Sequence, residues 1–423
     1  MSCYISSNNN RVYAALESSY GQVAAITGQN RIPLLRLNAK QTPVTTGRKD
    51  KTGTRTFIGL PNRIRKTSTF ELSTPMTEWT NTSTAPSHGP LFQAALGAAP
   101  QAFGGGTVQS ITNQTQLQFA GPHGLAPGQA ITNGGEIRFV TAVQNTTTLF
   151  INAPFSFLTG GATVGNTMTY AVANDLSSVT LYDYWDPSTA VQRILNGAAM
   201  DKVQIKVNGD FHQFDFSGPA RDVMDSASFT SGEANLTQFP SEPSSAGFDY
   251  TIVPGHLGQV WMGATPVQFF TLTSAELTVQ NNISLRLHEF GSDFPVCIQA
   301  GAREVSLNVT IFEQDDAQTK QLYQAARQRS PISVMIQLGE QSGQLFAAYM
   351  PAMVPEVPQY DDQQTRLRRR RFCLAIVREK RNCGGGRHRS PARPKRGSER
   401  KYSLLYLLRR SVNGQSNWRG LGR

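Results

Sequence analysis

The sequence predicts a mainly β protein with few helices and a small inserted β-domain. Three observations carry that reading. Through residue 365 the apolar residues fall in short alternating runs punctuated by Gly, Pro and Asn, the pattern of half-buried strands. Charged residues reach only 16%, too few for the charge-rich exposed faces of a helical protein, while Thr, Ser, Gln and Asn abound. Triple glycine at 104–106 then opens about 70 residues of strand–turn–strand sequence. A chain of 423 residues has room for two or three domains, each with its own core.

Taken in order, the first 60 residues offer few strong elements. "RVYAALESSYGQVAAITGQNRIPLLRLNA" mixes a short apolar patch with turn residues and suggests a strand at Ile32 to Leu37. From Thr42 to Lys66 runs a basic, Gly-punctuated connection. It is too long for an ordinary loop, which argues for a functional segment or for order gained on assembly. "TSTFELSTPM" is a strand with Phe70 and Leu72 on one face. "GPLFQAALGAA" is a short helix, with Leu91, Ala94, Ala95 and Leu96 at helical spacing and Gly97 as its stop. The inserted β-domain is placed at 104–173, its strands separated by turns at "PHGLAPG", "NGG" and "QNTT".

The body resumes at residue 174. In "MDKVQIKVNGDFHQFDFSG", Val203, Ile205 and Val207 alternate outward, and His212, Phe214 and Phe216 alternate on the return. Asn208 and Gly209 supply the two positive-φ positions of a type I′ hairpin turn. A similar unit follows, in which Leu277 and Val279 would pair with Ile283, Leu285 and Leu287 across a turn at Asn281 and Asn282; a duplication or the general likeness of β-hairpins would account for the similarity. Between them lies a Ser-rich connection, 224–249. "REVSLNVTIFEQ" is a strand with Val305, Leu307, Val309 and Ile311 inward. "DDAQTKQLYQAARQRS" is a helix capped by Asp315 or Asp316 and burying Leu322, Tyr323 and Ala326. "PISVMIQLG" and "GQLFAAYMPAMVPEVPQ" close the body with the Pro spacing of edge strands.

No constellation in the sequence carries chemistry. His88, His123, His212, His256, His288 and His388 have no ligand spacing, and ordinary packing accounts for His212 and His288 in apolar slots and for His123 in a turn. There is no G-x-S-x-G and no P-loop; "FGGGT" lacks a following lysine and a strand-then-helix context. The acids Asp315 and Asp316 are explained by a helix N-terminus. We therefore expect no catalytic residue, no cofactor and no metal, and no enzyme. Cys3, Cys297, Cys373 and Cys383 form no metal knuckle, and a reducing site of synthesis fits them better than a disulfide framework. Neither a signal peptide nor a membrane span of roughly 18 apolar residues is found.

Basic residues are concentrated in two places. Residues 366–423 hold 19 basic and two acidic groups, net +17, which leaves 21 basic and 27 acidic in the first 365, net −6. The other concentration is the loop Arg48, Lys49, Lys51, Arg55, Arg63, Arg65 and Lys66, which could grip phosphate, face an acidic neighbouring subunit, or simply be solvated.

The order and spacing of four segments resemble the tail tube (major tail) protein of long-tailed, non-contractile bacteriophages. They are "ALESSYGQVAAITGQNRIPLLRL", "VTLYDYWDPSTAVQRILNGAAMDKVQIKVNGDFHQFDFSG", "NNISLRLHEFGSDFPVCIQAGAREVSLNVTIFEQDDAQTKQLYQAA" and "GQLFAAYMPAMVPEVPQ". The resemblance covers roughly 10–103 and 174–365, so the body is assigned to 1–103 and 174–365. It implies an antiparallel β-sandwich or barrel with a flanking α-helix, and six copies closing into a ring. It also implies rings stacked into a hollow tube through which double-stranded DNA passes without specific binding, and no membrane. The implied partners are further copies of the chain and other tail proteins (tape measure, terminator, baseplate). The implied location is the virion, after synthesis in a bacterial cytoplasm. The basic loop would then be the inter-ring contact, and the insert an outer decoration facing solvent or host glycans. Alternative readings are another β-rich virion component, such as a tail terminator or decoration protein, or a nucleic-acid-binding protein acting through its basic end. The departure from the family lies at 366–423. There the expected closing strand gives way to Arg/Gly/Pro-rich sequence, read as a disordered basic extension or the product of a changed reading frame.

Overall fold

The computed structural model describes residues 4–44, 51, 53–55, 64–79, 85–244, 251–361 and 369–375. The molecule is mainly β, built of antiparallel sheets with two α-helices among the described residues. The largest sheet has twelve strands and curls into a nearly closed barrel. Its order is Val267–Gln268, Gly258–Gly263, Ile332–Leu338, Phe346–Pro355, Arg369–Ala375, Glu304–Phe312, Leu272–Gln280, Lys202–Val207, Gln213–Ala220, Lys66–Pro75 and Arg36–Pro43, with Gln359–Asp361 beside Arg369–Ala375.

Alternation decides which face is inside. Val203 and Ile205 pair with Phe216 and Phe214 on one side and with Val279 and Leu277 on the other, and all six are buried. Val305, Leu307, Val309 and Ile311 continue the apolar face. This core also takes Leu91 and Leu96 of helix Gly89–Leu96, Leu322 of helix Ala317–Gln328, and Val12, Leu181 and Leu195 from a second sheet. That second, five-stranded sheet runs Asp222–Asp225, Arg193–Ala198, Val179–Trp185, Asn10–Leu16, Arg31–Ile32.

The segment 106–164 forms a separate six-stranded sheet around Val108, Leu117, Phe119, Ile131, Leu149 and Val164. A bridge between Thr132 and Gly165, with Gly165 N donating to Thr132 O at 2.8 Å, joins its two edges into a small barrel. Strands Gln101–Phe103 and Thr167–Thr169, on either side of it in sequence, pair with each other as its stalk.

Both helices end as their caps dictate. Gly97, at φ +100°, terminates Gly89–Leu96. The Asp316 carboxylate accepts from Thr319 N at 2.6 Å and starts the second helix, which buries Leu322 and Ala326 along with Thr319, while Tyr323 is only half-buried.

Several expectations are corrected. The Val203–Phe216 hairpin forms, but pairing stops at Lys206↔Gln213 and the turn is wider than two residues. Asn208 takes φ +68° while Gly209 has no positive φ, because the tip is engaged elsewhere: Gly255 N bonds Asp210 O at 3.1 Å and Phe211 bridges Pro254. Asn281 and Asn282 make no hairpin turn. Leu277 and Val279 pair with Leu307 and Val305 instead, and Ser284–Leu285 pairs with Ile298–Gln299. Asn281 is a buried polar hub, donating to Ala95 O and Met200 O at 2.9 Å each and accepting from Arg303 Nε at 2.9 Å. His288, outside any apolar slot, is exposed. The strand expected at Ile32 to Leu37 is split, since Pro33 has no N–H for a ladder; its halves join different sheets. Within 366–423, Arg369–Ala375 is not disordered but a strand inside the main sheet, paired with Ser306–Phe312, and its Leu374 is fully buried. Residues 376–423 lie outside the described residues.

Candidate assembly surfaces

Antiparallel register gives the main sheet two distinct ends. One carries Gln280, Lys202, Ser217 and the Pro43↔Lys66 pair; the other carries Ala275, Val207, Gln213 and Pro75. Helix Gly89–Leu96 spans between them: His88 touches Pro75, and Ala95 receives Asn281.

The solvent-facing side of the sheet is polar across six strands. Lys202, Gln204 and Lys206 lie beside Ser217, Asp215 and Gln213 on one neighbour and beside Gln280, Thr278 and Glu276 on the other. Outer strands extend it with Glu71 and Ser73, then Asn38 and Arg36, and on the far side with Glu304, Ser306 and Asn308. Charges balance: Arg36, Lys40, Lys202 and Lys206 offset Glu71, Asp215, Glu276 and Glu304. Cross-strand pairs tie them together, with Lys206 Nζ 2.7 Å from Asp215 and Arg36 Nη2 3.2 Å from Glu71. Burial pushes the Asp215 carboxyl up, but hydrogen bonds from Lys206, Ser73 and Gln213 outweigh it and hold the group below the usual carboxylate range. At one margin strand Arg36–Pro43 pairs with Lys66–Pro75, and its other edge has no strand partner among the described residues.

Two segments leave the first end. One departs at Pro43 and returns at Lys66, with 45–50 and 56–63 outside the described residues, and the other is the arm 283–300, which contains the short pair Ser284–Leu285 and Ile298–Gln299. They touch: Arg65 donates to Glu289 O at 2.9 Å and to Ser292 O at 3.3 Å. The Arg221 guanidinium lies 5.9 Å from the Phe294 ring centroid and braces the arm. Phe290, near its tip, is fully exposed. Of the sequence candidates, Arg65 thus serves the two segments' mutual packing. Lys66 begins a strand, Lys51 and Arg55 are exposed, and Arg48, Lys49 and Arg63 lie outside the described residues.

The second end faces the inserted barrel across a cleft of about 330 Å³, walled by Met76, Phe214, Phe346, Phe139, Met168 and Tyr170 among others. His88 is buried there, its Nε2 2.9 Å from Thr74 Oγ1 and 3.1 Å from the Pro75 carbonyl; burial lowers its pKa to about 4, partly opposed by the Pro75 bond. It is a neutral packing group. Tyr170 packs its hydroxyl against Gly89, where any Cβ would clash with it.

Beyond the cleft the insert is locked to the body. Ile137 N donates to Gln337 Oε1 at 2.8 Å, Gln337 Nε2 donates to Gly135 O at 2.9 Å, and Phe139 stacks on Tyr349. Gly135, at φ +88°, completes a type I′ turn with Gly134, and a Cβ on it would stand 2.0 Å from Glu340 O. Arg138, fully buried, donates to Glu136 at 3.0 Å and lies over the Phe155 and Trp261 rings. Sequence reasoning missed this seam, since its polar partners are some 200 residues apart.

Among the described residues no group of three or more His, Cys, Asp or Glu could hold a metal ion, and no helix is long and apolar enough to cross a membrane. Cys297, half-buried, is a free thiol. No protein-family model matches the chain, and no curated protein matches it.

Proposed function

We propose that the chain is a structural protein that assembles with copies of itself into stacked rings. Together they form the tail tube of a long-tailed, non-contractile bacteriophage and conduct double-stranded DNA without binding it specifically. The observation that carries the reading is the six-stranded polar, charge-balanced face bordered by the Arg36–Pro43 edge. An edge of eight residues with no strand partner among the described residues is a template for another strand, and pairing it with the next subunit would close a continuous wall. A face of mixed Ser, Thr, Asn, Gln and balanced charge stays wetted and has no excess of cations to hold phosphates, so a duplex can slide past. The arm at one end and a cleft at the other give the subunit a head and a tail, as an open stack requires. The order of sequence segments resembling tail tube proteins points the same way. Negative-stain electron microscopy of the purified protein tests it: extended hollow tubes are expected, and monodisperse monomers at high concentration would reject the reading.

A further inference from the structure

We propose that Phe290 is the plug of the head-to-tail contact, seating in the cleft between body and insert of a second copy. The inference rests on the stacked-ring reading and names the contact that reading lacks. Singly exposed apolar residues are ordinary on a protein surface, but Phe290 differs in how it is held. It sits near the tip of an arm stiffened by Arg65 at Glu289 O and Ser292 O and by Arg221 at Phe294, so a fully exposed aromatic ring is presented on a braced support. Little ordering would remain to be lost on binding.

The receptor lies at the opposite end of the same sheet. The arm departs from the Gln280 end, beside Lys202 and Ser217, while the cleft is entered at the Pro75 end, beside Gln213. The strands between separate the root of the arm from the cleft, so the cleft within the arm's direction of departure is that of a copy stacked in the same orientation. The cleft walls suit a phenyl ring: Phe92, Phe214 and Phe346 already pack edge-on or tilted at 5.0–5.3 Å between centroids, leaving aromatic edges and faces for a further ring. No charged side chain lines it apart from His88, which is held neutral. Arm and cleft are different surfaces, so the contact does not close on itself and propagates along an axis.

The test places the photo-reactive p-benzoylphenylalanine at position 290 of the full chain and mixes it with isotope-labelled wild type before irradiation. The expected product joins residue 290 to labelled peptides containing 76–79, 165–170 or 342–347. Cross-links confined to the variant's own chain, to other surfaces of the labelled copy, or absent altogether overturn the proposal. Phe290→Ser, at a position with no packing to lose, is expected to stop at single rings or subunits under conditions where wild type forms tubes. Tubes of wild-type length from Phe290→Ser would remove the plug and leave the tube reading standing. Wild type that forms no tubes rejects that reading, and the cross-link map of the concentrated protein then decides the contact alone.

Discussion

His88 shows what a single residue contributes. Buried behind Thr74 and Pro75 and edge-on to Phe214, it stays neutral down to about pH 4. The unfolded chain takes up a proton near the ordinary histidine value of about 6.5. Below that pH the unfolded state binds a proton that the folded state refuses, so stability falls as pH drops and the effect levels off near pH 4. His212 shifts in the same direction through burial and adds to the slope. The expected loss assignable to His88 is about 3 kcal/mol between neutral pH and pH 4. Urea denaturation at a series of pH values should show a shallower slope for His88→Gln than for wild type; equal slopes would refute the assignment. Asn281 teaches a related lesson. Next to Asn282 it reads as a turn, yet its amide ties helix Gly89–Leu96 to Met200 and Arg303 in the interior.

Among the elements, Arg369–Ala375 departs most from its composition. Five of the residues from Arg366 to Arg371 are arginine, and such a run reads as a solvated tail. The backbone nevertheless pairs with Ser306–Phe312 over seven residues and meets Val354 and Pro355 on its other side, connecting the two halves of the main sheet. Leu374 opposite Leu307 is the anchor. Leu374→Ala is expected to cost about 2–5 kcal/mol in chemical denaturation, with faster amide exchange in Glu304–Phe312. An unchanged midpoint would mean that the strand contributes nothing to the sheet. The final strands show how proline fits a paired strand: Pro351 lies where the register of Phe346–Pro355 shifts against Ile332–Leu338, and its missing N–H costs no regular ladder bond.

At the scale of the whole molecule, charge and assembly separate. Across the six strands proposed to line the conduit the sheet face is charge-balanced, while the net positive charge of the chain resides in 366–423, of which Arg369–Ala375 joins the same sheet beside them. Removing 376–423 while keeping the Arg369–Ala375 strand is therefore expected to leave tube formation intact. The basic end is expected to give the full chain a salt-sensitive retention of duplex DNA, and the same deletion should abolish it. Gel-shift titrations at several salt concentrations, run beside electron microscopy, check both. Loss of tubes on this truncation would assign the basic end to assembly, and unchanged DNA retention would place the phosphate contacts elsewhere.

The sequence by itself determined the fold class, the strands whose inner and outer faces differ, and both helices. In those elements the side-chain period and the cap residues are local, as in Lys202–Val207, Glu304–Phe312 and the Asp316 cap. It also marked the long basic connection that leaves one end of the sheet. Only the tertiary structure decided which strand pairs with which, because pairing joins residues far apart and two similar runs are interchangeable until a partner is present. It alone revealed Asn10–Leu16, whose Val12, Tyr13, Ala14 and Ala15 are all buried, so that no alternation is left to read. The seam at Gln337, the cleft and the opposite placement of the Phe290 arm follow from that non-local pairing. Register turns scattered residues into two ends of one sheet, and no local pattern in the chain encodes it.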